Sequence, residues 1–427
     1  MTEIAASSVD TRGLGLGRWW QLALGVICMA MIANLQYGWT LFVNPIENKH
    51  HWGLPAIQVA FTVFVLIETW LVPLEGYLVD RYGPKLVGVV SGVFVGLAWI
   101  INAETNSLAM LYVGAVVGGV GAGGVYGATV GNALKWFPDR RGLASGLTAM
   151  GFGAGSALTV YPIANMIKAQ GYEAAFLKFG IAQGVVVFVL GWLLRAPDDS
   201  IKLVAKPSAA VTSTTRDWRP MEVLGSPVFW VMYVMFVLTA TGGLVMTAQL
   251  KPLATDLGVD TANAVLMGIT VSALPFTLSM SRVLNGVSRP FFGWVSDQIG
   301  RETTMFVAFT LHTASFVLLS KLISIPAAFV LVTCLLYFTY GEIFSLFPAA
   351  CGDCFGRKYA AANAGLLYTA KGTASLVVPV SGWMAAHYGG WNGVFHGMAA
   401  MNFAAAILAL VVLKPMRARL AAAAPIA

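Results

Sequence analysis

Twelve apolar runs dictate what this chain can fold into. Their approximate limits are 19–43, 56–77, 86–102, 108–134, 143–165, 174–194, 227–249, 262–292, 302–320, 326–348, 359–385 and 391–413. Most reach the roughly 20 residues that an α-helix needs to cross a hydrocarbon core about 30 Å thick. Inside that core each backbone N–H and C=O must be bonded within the protein, so such runs fold as helices. Of the 427 residues, 58% are hydrophobic and only 11% are charged, against about 25% charged in a soluble domain. The expected product is an all-α polytopic membrane protein, with 12 transmembrane helices surrounded by a lipid bilayer.

An even number of spans puts both termini on one side. The loops and tails of that side hold 18 lysines and arginines, whereas the opposite loops hold only Lys49, Lys168, Lys251 and Lys321. Basic residues concentrate in cytoplasmic loops, so both termini are expected in the cytoplasm and the spans in the plasma (inner) membrane. The net charge of +7 follows from this topology and does not point to a nucleic-acid partner. The first run is too long for a signal peptide and lacks a small-residue cleavage site, so it reads as an uncleaved span. The chain then divides into a tail (1–18), a six-helix bundle (19–195), a linker rich in Ser, Thr and Pro (196–226), a second bundle (227–413) and a tail (414–427).

The two bundles repeat each other. Gly76-Tyr-Leu-Val-Asp80-Arg81-Tyr-Gly83 follows span two, and Gly293-Trp-Val-Ser-Asp297-Gln-Ile-Gly300-Arg301 follows span eight, 217 residues later. Trp136-Phe137-Pro138-Asp139-Arg140-Arg141-Gly142 is matched at an offset of 218 by Cys354-Phe355-Gly356-Arg357-Lys358-Tyr359. Halves of like orientation form a parallel repeat, whose site lies between them near the midplane. The G-x-x-x-D-x-x-G spacing has a physical sense. Glycine lets helices approach, and an aspartate at a helix end can accept from a neighbouring helix N-terminus while pairing with a loop arginine. Asp80 with Arg81, and Asp297 with Arg301, are expected to latch the halves in one arrangement.

Charges inside spans mark the candidate site. Ala360 to Trp383 has one charge, Lys371, 13 residues from Lys358; at about 1.5 Å per residue this places it about 20 Å into the core. A lysine there costs at least about 2.5 kcal/mol on insertion scales, so it must face protein or a wet cavity with an anionic partner. Arg289 lies in span eight, with Arg282 seven residues earlier on the same helical face. Arg282 either recruits anions near the outer mouth or pairs with Glu342 or a lipid headgroup. Glu342, within span ten, serves as counter-ion to Lys371 or Arg282, or else carries a proton. Glu68 and Glu75 in span two pose the same choice, with Glu75 assigned to the latch beside Arg81. The glycine-rich span four projects one tyrosine, Tyr126, either onto a neighbouring helix or into the site.

These features together resemble the major facilitator superfamily over the whole chain. Gln36-Tyr37-Gly38-Trp39-Thr40-Leu41, the run Lys135 to Gly146, Arg289-Pro290-Phe291-Phe292-Gly293 and Ala370-Lys371-Gly372-Thr373-Ala374-Ser375 resemble the oxalate/formate antiporter family. The related monocarboxylate transporters share the Arg-Pro pair. The resemblance implies two pseudo-symmetric six-helix bundles that carry small carboxylates (oxalate, formate or a monocarboxylate) by alternating access. It implies that Arg289 and Lys371 bind carboxylate and that Gln36, Tyr37 and Tyr126 close the cage. The chain departs from the oxalate pattern at Phe152, which replaces tyrosine, and at Tyr340 and Tyr368, which replace tryptophan. Glu342 replaces glycine and Arg282 a neutral residue. Asn285 replaces the aspartate of the monocarboxylate carriers.

Other chemistries find no support in the sequence. There is no HExxH motif, no histidine cluster and no Walker A loop, so no metal, cofactor or catalytic residue is assigned. Cys351-Gly-Asp-Cys354 has no redox or zinc context and reads as incidental thiols. The expected function is exchange of small carboxylates by a monomeric carrier. The alternatives are proton-coupled symport of a monocarboxylate through a buried carboxyl such as Glu342 and, more remotely, a non-transporting membrane sensor.

Overall fold

The computed structural model describes residues 11–197, 214, 216–387 and 390–422. Residues 1–10 of the first tail, most of the linker (198–213 and 215) and residues 423–427 lie outside the described residues. Span one is Thr11–Tyr37, continued after Gly38 and Trp39 by a short helix Thr40–His50. Span two is Leu54–Trp70 and Val72–Tyr82, interrupted at Leu71 just before Pro73, whose ring removes an N–H from the helical ladder. Pro84–Ala103, Leu108–Trp136, Arg141–Gln170 and Tyr172–Leu193 complete the first bundle. The second comprises Pro227–Asp256, Ala273–Ile299, Arg301–Leu322, Pro326–Tyr340 with Ile343–Phe355, Ala360–Ser375 with Val377–His387, and Trp391–Leu408.

Among the described residues ten helices are long and apolar enough to cross a membrane unaided. The other two spans are the eighth, which carries Arg282, Arg289 and Asp297, and the eleventh, which carries Lys371 and breaks at Leu376. The helices least suited to lipid are therefore those that bear the buried cations.

Two boundaries differ from the sequence reading. Residues 262–272 do not begin span eight. Asn263–Leu266 pairs antiparallel with Ile269–Ser272 around Met267 and Gly268, both at positive φ (51° and 85°). β-Branched residues on either side of a two-residue turn of that hand favour a hairpin over a helix. At the other end, span twelve passes through a widened turn, Ala409–Leu413, into the helix Lys414–Ala422, so residues 414–422 are no loose tail.

The bundles meet along two seams, span five against span eight and span two against span eleven. Backbone runs close to backbone there. A Cβ on Gly76 would lie 2.5 Å from the carbonyl oxygen of Ala361, nearer than any side chain can approach. Gly293 packs in the same way against Gly142 on the other seam.

Candidate functional site

The seams converge on a small cavity between the bundles. It is lined by Gln36 and Tyr37 of span one, by Leu244 and Thr247 of span seven, and by Arg282 and Asn285 of span eight. Tyr337, Tyr340 and Phe344 of span ten and Lys371 of span eleven complete the wall. Its volume is about 10 Å³, room for about one water molecule. A carboxylate can enter this arrangement only by displacing side chains.

Lys371 is 1% exposed. Its Nζ donates to Glu68 Oε2 at 3.0 Å, to the Tyr368 hydroxyl at 2.8 Å and to Gln36 Oε1 at 3.2 Å. Tyr368 in turn donates to Glu68 Oε1 at 2.8 Å. The anionic partner that the lysine requires is therefore Glu68, from the other bundle, and not Glu342. Glu342 is buried, forms no ion pair among the described residues, and has an Oε2 without a hydrogen-bond partner. Sequence places Glu68, Glu75 and Glu342 within spans but sets no distance from any of them to Lys371; the crossing of spans two and eleven selects Glu68. Tyr126 stacks on Tyr368 at 3.9 Å with the rings 16° from parallel, so it supports the tyrosine that holds Glu68 and does not itself line the cavity. Phe152 lies behind the ammonium, 5.3 Å from Nζ, and tilts against Tyr37.

Arg289 occupies a different position from Lys371. It is buried and outside the cavity lining. Nη1 donates to the backbone oxygen of Ala149 at 2.7 Å and Nη2 to Asn285 Oδ1 at 2.9 Å. Its planar fork thus fastens span eight to span five, and Gly153 leaves room for it, since a Cβ there would lie 3.0 Å from Nε. Arg282 is the second cation that does line the cavity. It is half-buried, and its guanidinium carbon lies 4.9 Å from the Tyr37 ring centre and 5.8 Å from that of Tyr337. It has no carboxylate within ion-pair distance among the described residues, so of the alternatives for Arg282 the pairing with Glu342 does not form.

Toward the termini the cavity is sealed by the duplicated loops. Asp80 accepts from the N–H groups of Ala361 and Ala362 at 3.3 and 2.8 Å, at the start of span eleven. Asp297 accepts from Gly142 and Leu143 at 3.1 and 2.9 Å, at the start of span five. Each aspartate therefore caps a helix of the opposite bundle, where the helix dipole favours a negative charge. Gly83 and Gly300 end the motifs at φ of 86° and 93°.

The basic partners differ between the two copies. Arg301 pairs with Asp297 as expected. Arg81 does not join the latch: it is exposed, and Lys135 binds Asp80 at 2.6 Å in its place. Arg81 follows Asp80 directly on a helix, and adjacent residues do not share a face. Glu75 is also outside the latch. It is buried against Gly123 with both carboxylate oxygens unbonded. A further cross-bundle pair was not foreseen: Arg141 Nη1 lies 2.8 Å from Asp353 Oδ1, while Arg301 and Arg417 reach the other oxygen at 2.9 and 3.6 Å. In sequence the C-x-x-C motif draws attention to its thiols, whereas in the fold it is the acid between them, Asp353, that carries the pairing. All four cysteines are free and buried, and the described residues hold no His/Cys/Asp/Glu cluster suited to a metal.

Residues 22–287 and 268–426 match the family model described as Major Facilitator Superfamily. The chain is 35% identical over 408 residues to the oxalate:formate antiporter of Oxalobacter formigenes, covering 95% of this chain and 94% of that protein. It is 28% identical over 370 residues to the uncharacterized MFS-type transporter YhjX of Escherichia coli (strain K12), covering 84% and 86%. It is 24% identical over 356 residues to monocarboxylate transporter 12-B of Danio rerio, covering 76% and 72%. Among solved structures, FucP in the outward conformation aligns with a TM-score of 0.67 at 13% identity, covering 91% of this chain and 97% of that one. The proton:xylose symporter XylE aligns with a TM-score of 0.71 at 12% identity, covering 93% and 96%. These two likenesses concern the fold.

Proposed function

This chain belongs to the major facilitator superfamily, and from that premise we propose that it is a secondary carrier exchanging small carboxylates by alternating access. One observation carries the reading: two cations, Arg282 and Lys371, face a water-sized cavity at the junction of the bundles, walled by Tyr37, Tyr337, Tyr340 and Gln36. An anion leaving water needs charge-assisted donors in place of its hydration shell, which a guanidinium fork and an ammonium supply. Aromatic walls set the size of what fits. Arg289 holds the wall from behind, and its fork, bonded to Ala149, transmits movement of span eight to span five. The carrier acts as a monomer in the inner membrane with both termini cytoplasmic, so the state described here is closed toward the cytoplasm. The likeness to the oxalate:formate antiporter supports this substrate class.

Counterflow in proteoliposomes tests the proposal. Vesicles loaded with unlabelled oxalate, formate, lactate or acetate should take up labelled carboxylate faster than empty ones at equal pH on both sides. Arg289→Gln and Lys371→Gln should each abolish the stimulation. Absence of stimulation by every carboxylate, or full activity in both variants, sinks the reading.

A second reading rests on the unpartnered buried oxygens of Glu342 and Glu75. A carboxyl without a hydrogen-bond donor, buried in a low-dielectric bundle, is a place to hold a proton, which would make the carrier a proton–monocarboxylate symporter. Under this reading Glu342→Gln loses uptake driven by a pH gradient while counterflow persists.

A further inference from the structure

The two cavity cations are not equivalent. The three ammonium protons of Lys371 already have acceptors in Glu68, the Tyr368 hydroxyl and Gln36. The Glu68 carboxylate is 0% exposed and is held in place by the Tyr368 hydroxyl at 2.8 Å. Arg282 is only half-buried, rests between two tyrosine faces and has no acid within ion-pair distance among the described residues. Arg289, outside the lining, bonds Ala149 through Nη1 and Asn285 through Nη2.

We infer that Glu68 is a built-in carboxylate ligand of Lys371, leaving Arg282 as the cation open to substrate, so that the site takes a monoanionic carboxylate in preference to a dianion. The inference rests on the carrier reading and narrows it. A dianion needs two cations. To engage Lys371 it must expel a carboxylate tethered within the same fold, which competes at an effective concentration of at least about millimolar without losing translational freedom. A monoanion needs only Arg282, and its remaining atoms meet the tyrosine faces, Thr247 and Gln36. The substrate class is a small monocarboxylate, with the Glu68 side chain acting as a permanent occupant of the second carboxylate position.

The test is counterflow with purified full-length protein at equal pH on both sides, comparing formate and lactate with oxalate and malonate as interior anions. Wild type should favour the monocarboxylates at least tenfold. Glu68→Gln frees Lys371 and should shift the ratio toward the dicarboxylates at least tenfold. Lys371→Gln strands the glutamate carboxylate beside the cavity and should lose exchange of both classes. The double variant Glu68→Gln/Lys371→Gln removes the stranded charge and should recover monocarboxylate exchange, without gain for dicarboxylates. Three results would overturn the inference: wild-type preference for dicarboxylates, a ratio within twofold of wild type in Glu68→Gln, or a monodisperse double variant as inactive as Lys371→Gln. If Glu68→Gln does not fold, the comparison of Lys371→Gln with the double variant still decides. Failure of every carboxylate in wild type would instead sink the carrier reading itself.

Discussion

Asp353→Asn should release the face that carries the termini. Asp353 is 2% exposed and receives Arg141 from the first bundle, with Arg301 and Arg417 from its own. Arg301 retains Asp297 and Arg417 retains Glu302 when the charge is removed. The Arg141–Asp353 bond, at 2.8 Å, joins the two bundles, and its loss leaves Arg141 facing a neutral amide. Removing one partner of a buried pair costs about 3–5 kcal/mol, because the other charge is left uncompensated. Opening the face hydrates Arg141 and recovers most of that cost, so the penalty falls on the closed state. A bias of about 3 kcal/mol moves a two-state equilibrium about 150-fold. Spin labels replacing the exposed residues Tyr82 and Lys358 in a cysteine-free background report the gap. Double electron–electron resonance should show the distance distribution moving to longer separations in Asp353→Asn. An unchanged distribution in a monodisperse protein would refute the assignment of Asp353 as a cross-bundle lock.

Gly76→Val places a branched side chain where even a Cβ would be 2.5 Å from the Ala361 oxygen; the same labels should report opening, with about 1–3 kcal/mol of destabilisation from overpacking. Arg289→Lys replaces the planar fork with a point charge on a single nitrogen, and the loss of one charge-assisted bond of about 1.5–3 kcal/mol should slow counterflow roughly 10- to 100-fold. Asp80→Asn leaves the buried Lys135 without its carboxylate, at a cost of about 3–5 kcal/mol, whereas Asp297→Asn leaves Arg301 paired with Asp353, so the label distance should lengthen more in Asp80→Asn than in Asp297→Asn. His50, outside the spans, bonds the Tyr172 hydroxyl at 2.8 Å. Partial burial, with Lys49 nearby, holds its pKa below the ordinary 6.5. The folded state therefore binds its proton less readily than the unfolded chain. Its contribution to stability is full above pH 6.5 and falls away on acidification, and its NMR titration should show a midpoint below 6.5.

Much of this protein follows from sequence because a bilayer leaves few choices. A run of about 20 apolar residues in lipid must close its own hydrogen bonds, so the spans, their helical form and the duplicated Asp80 and Asp297 loops are legible without coordinates. Lys371 as a buried cation in need of an acid was legible for the same reason: the cost of an unpaired charge is local. Which acid answers it was not. Glu68, Glu75 and Glu342 are alike as buried acids, and the choice depends on span two crossing span eleven at the height of residues 68 and 371. The same holds for Arg81, displaced from the latch by Lys135, and for Arg141, whose partner lies 212 residues away. Arg289 and Arg282 show the limit most plainly. They share one helical face, yet span five presses against Arg289 and Ala149 takes a donor from it, while Arg282 is left open to the cavity. A pairing of charges is a property of distance, and only the packed tertiary structure sets the distances between helices.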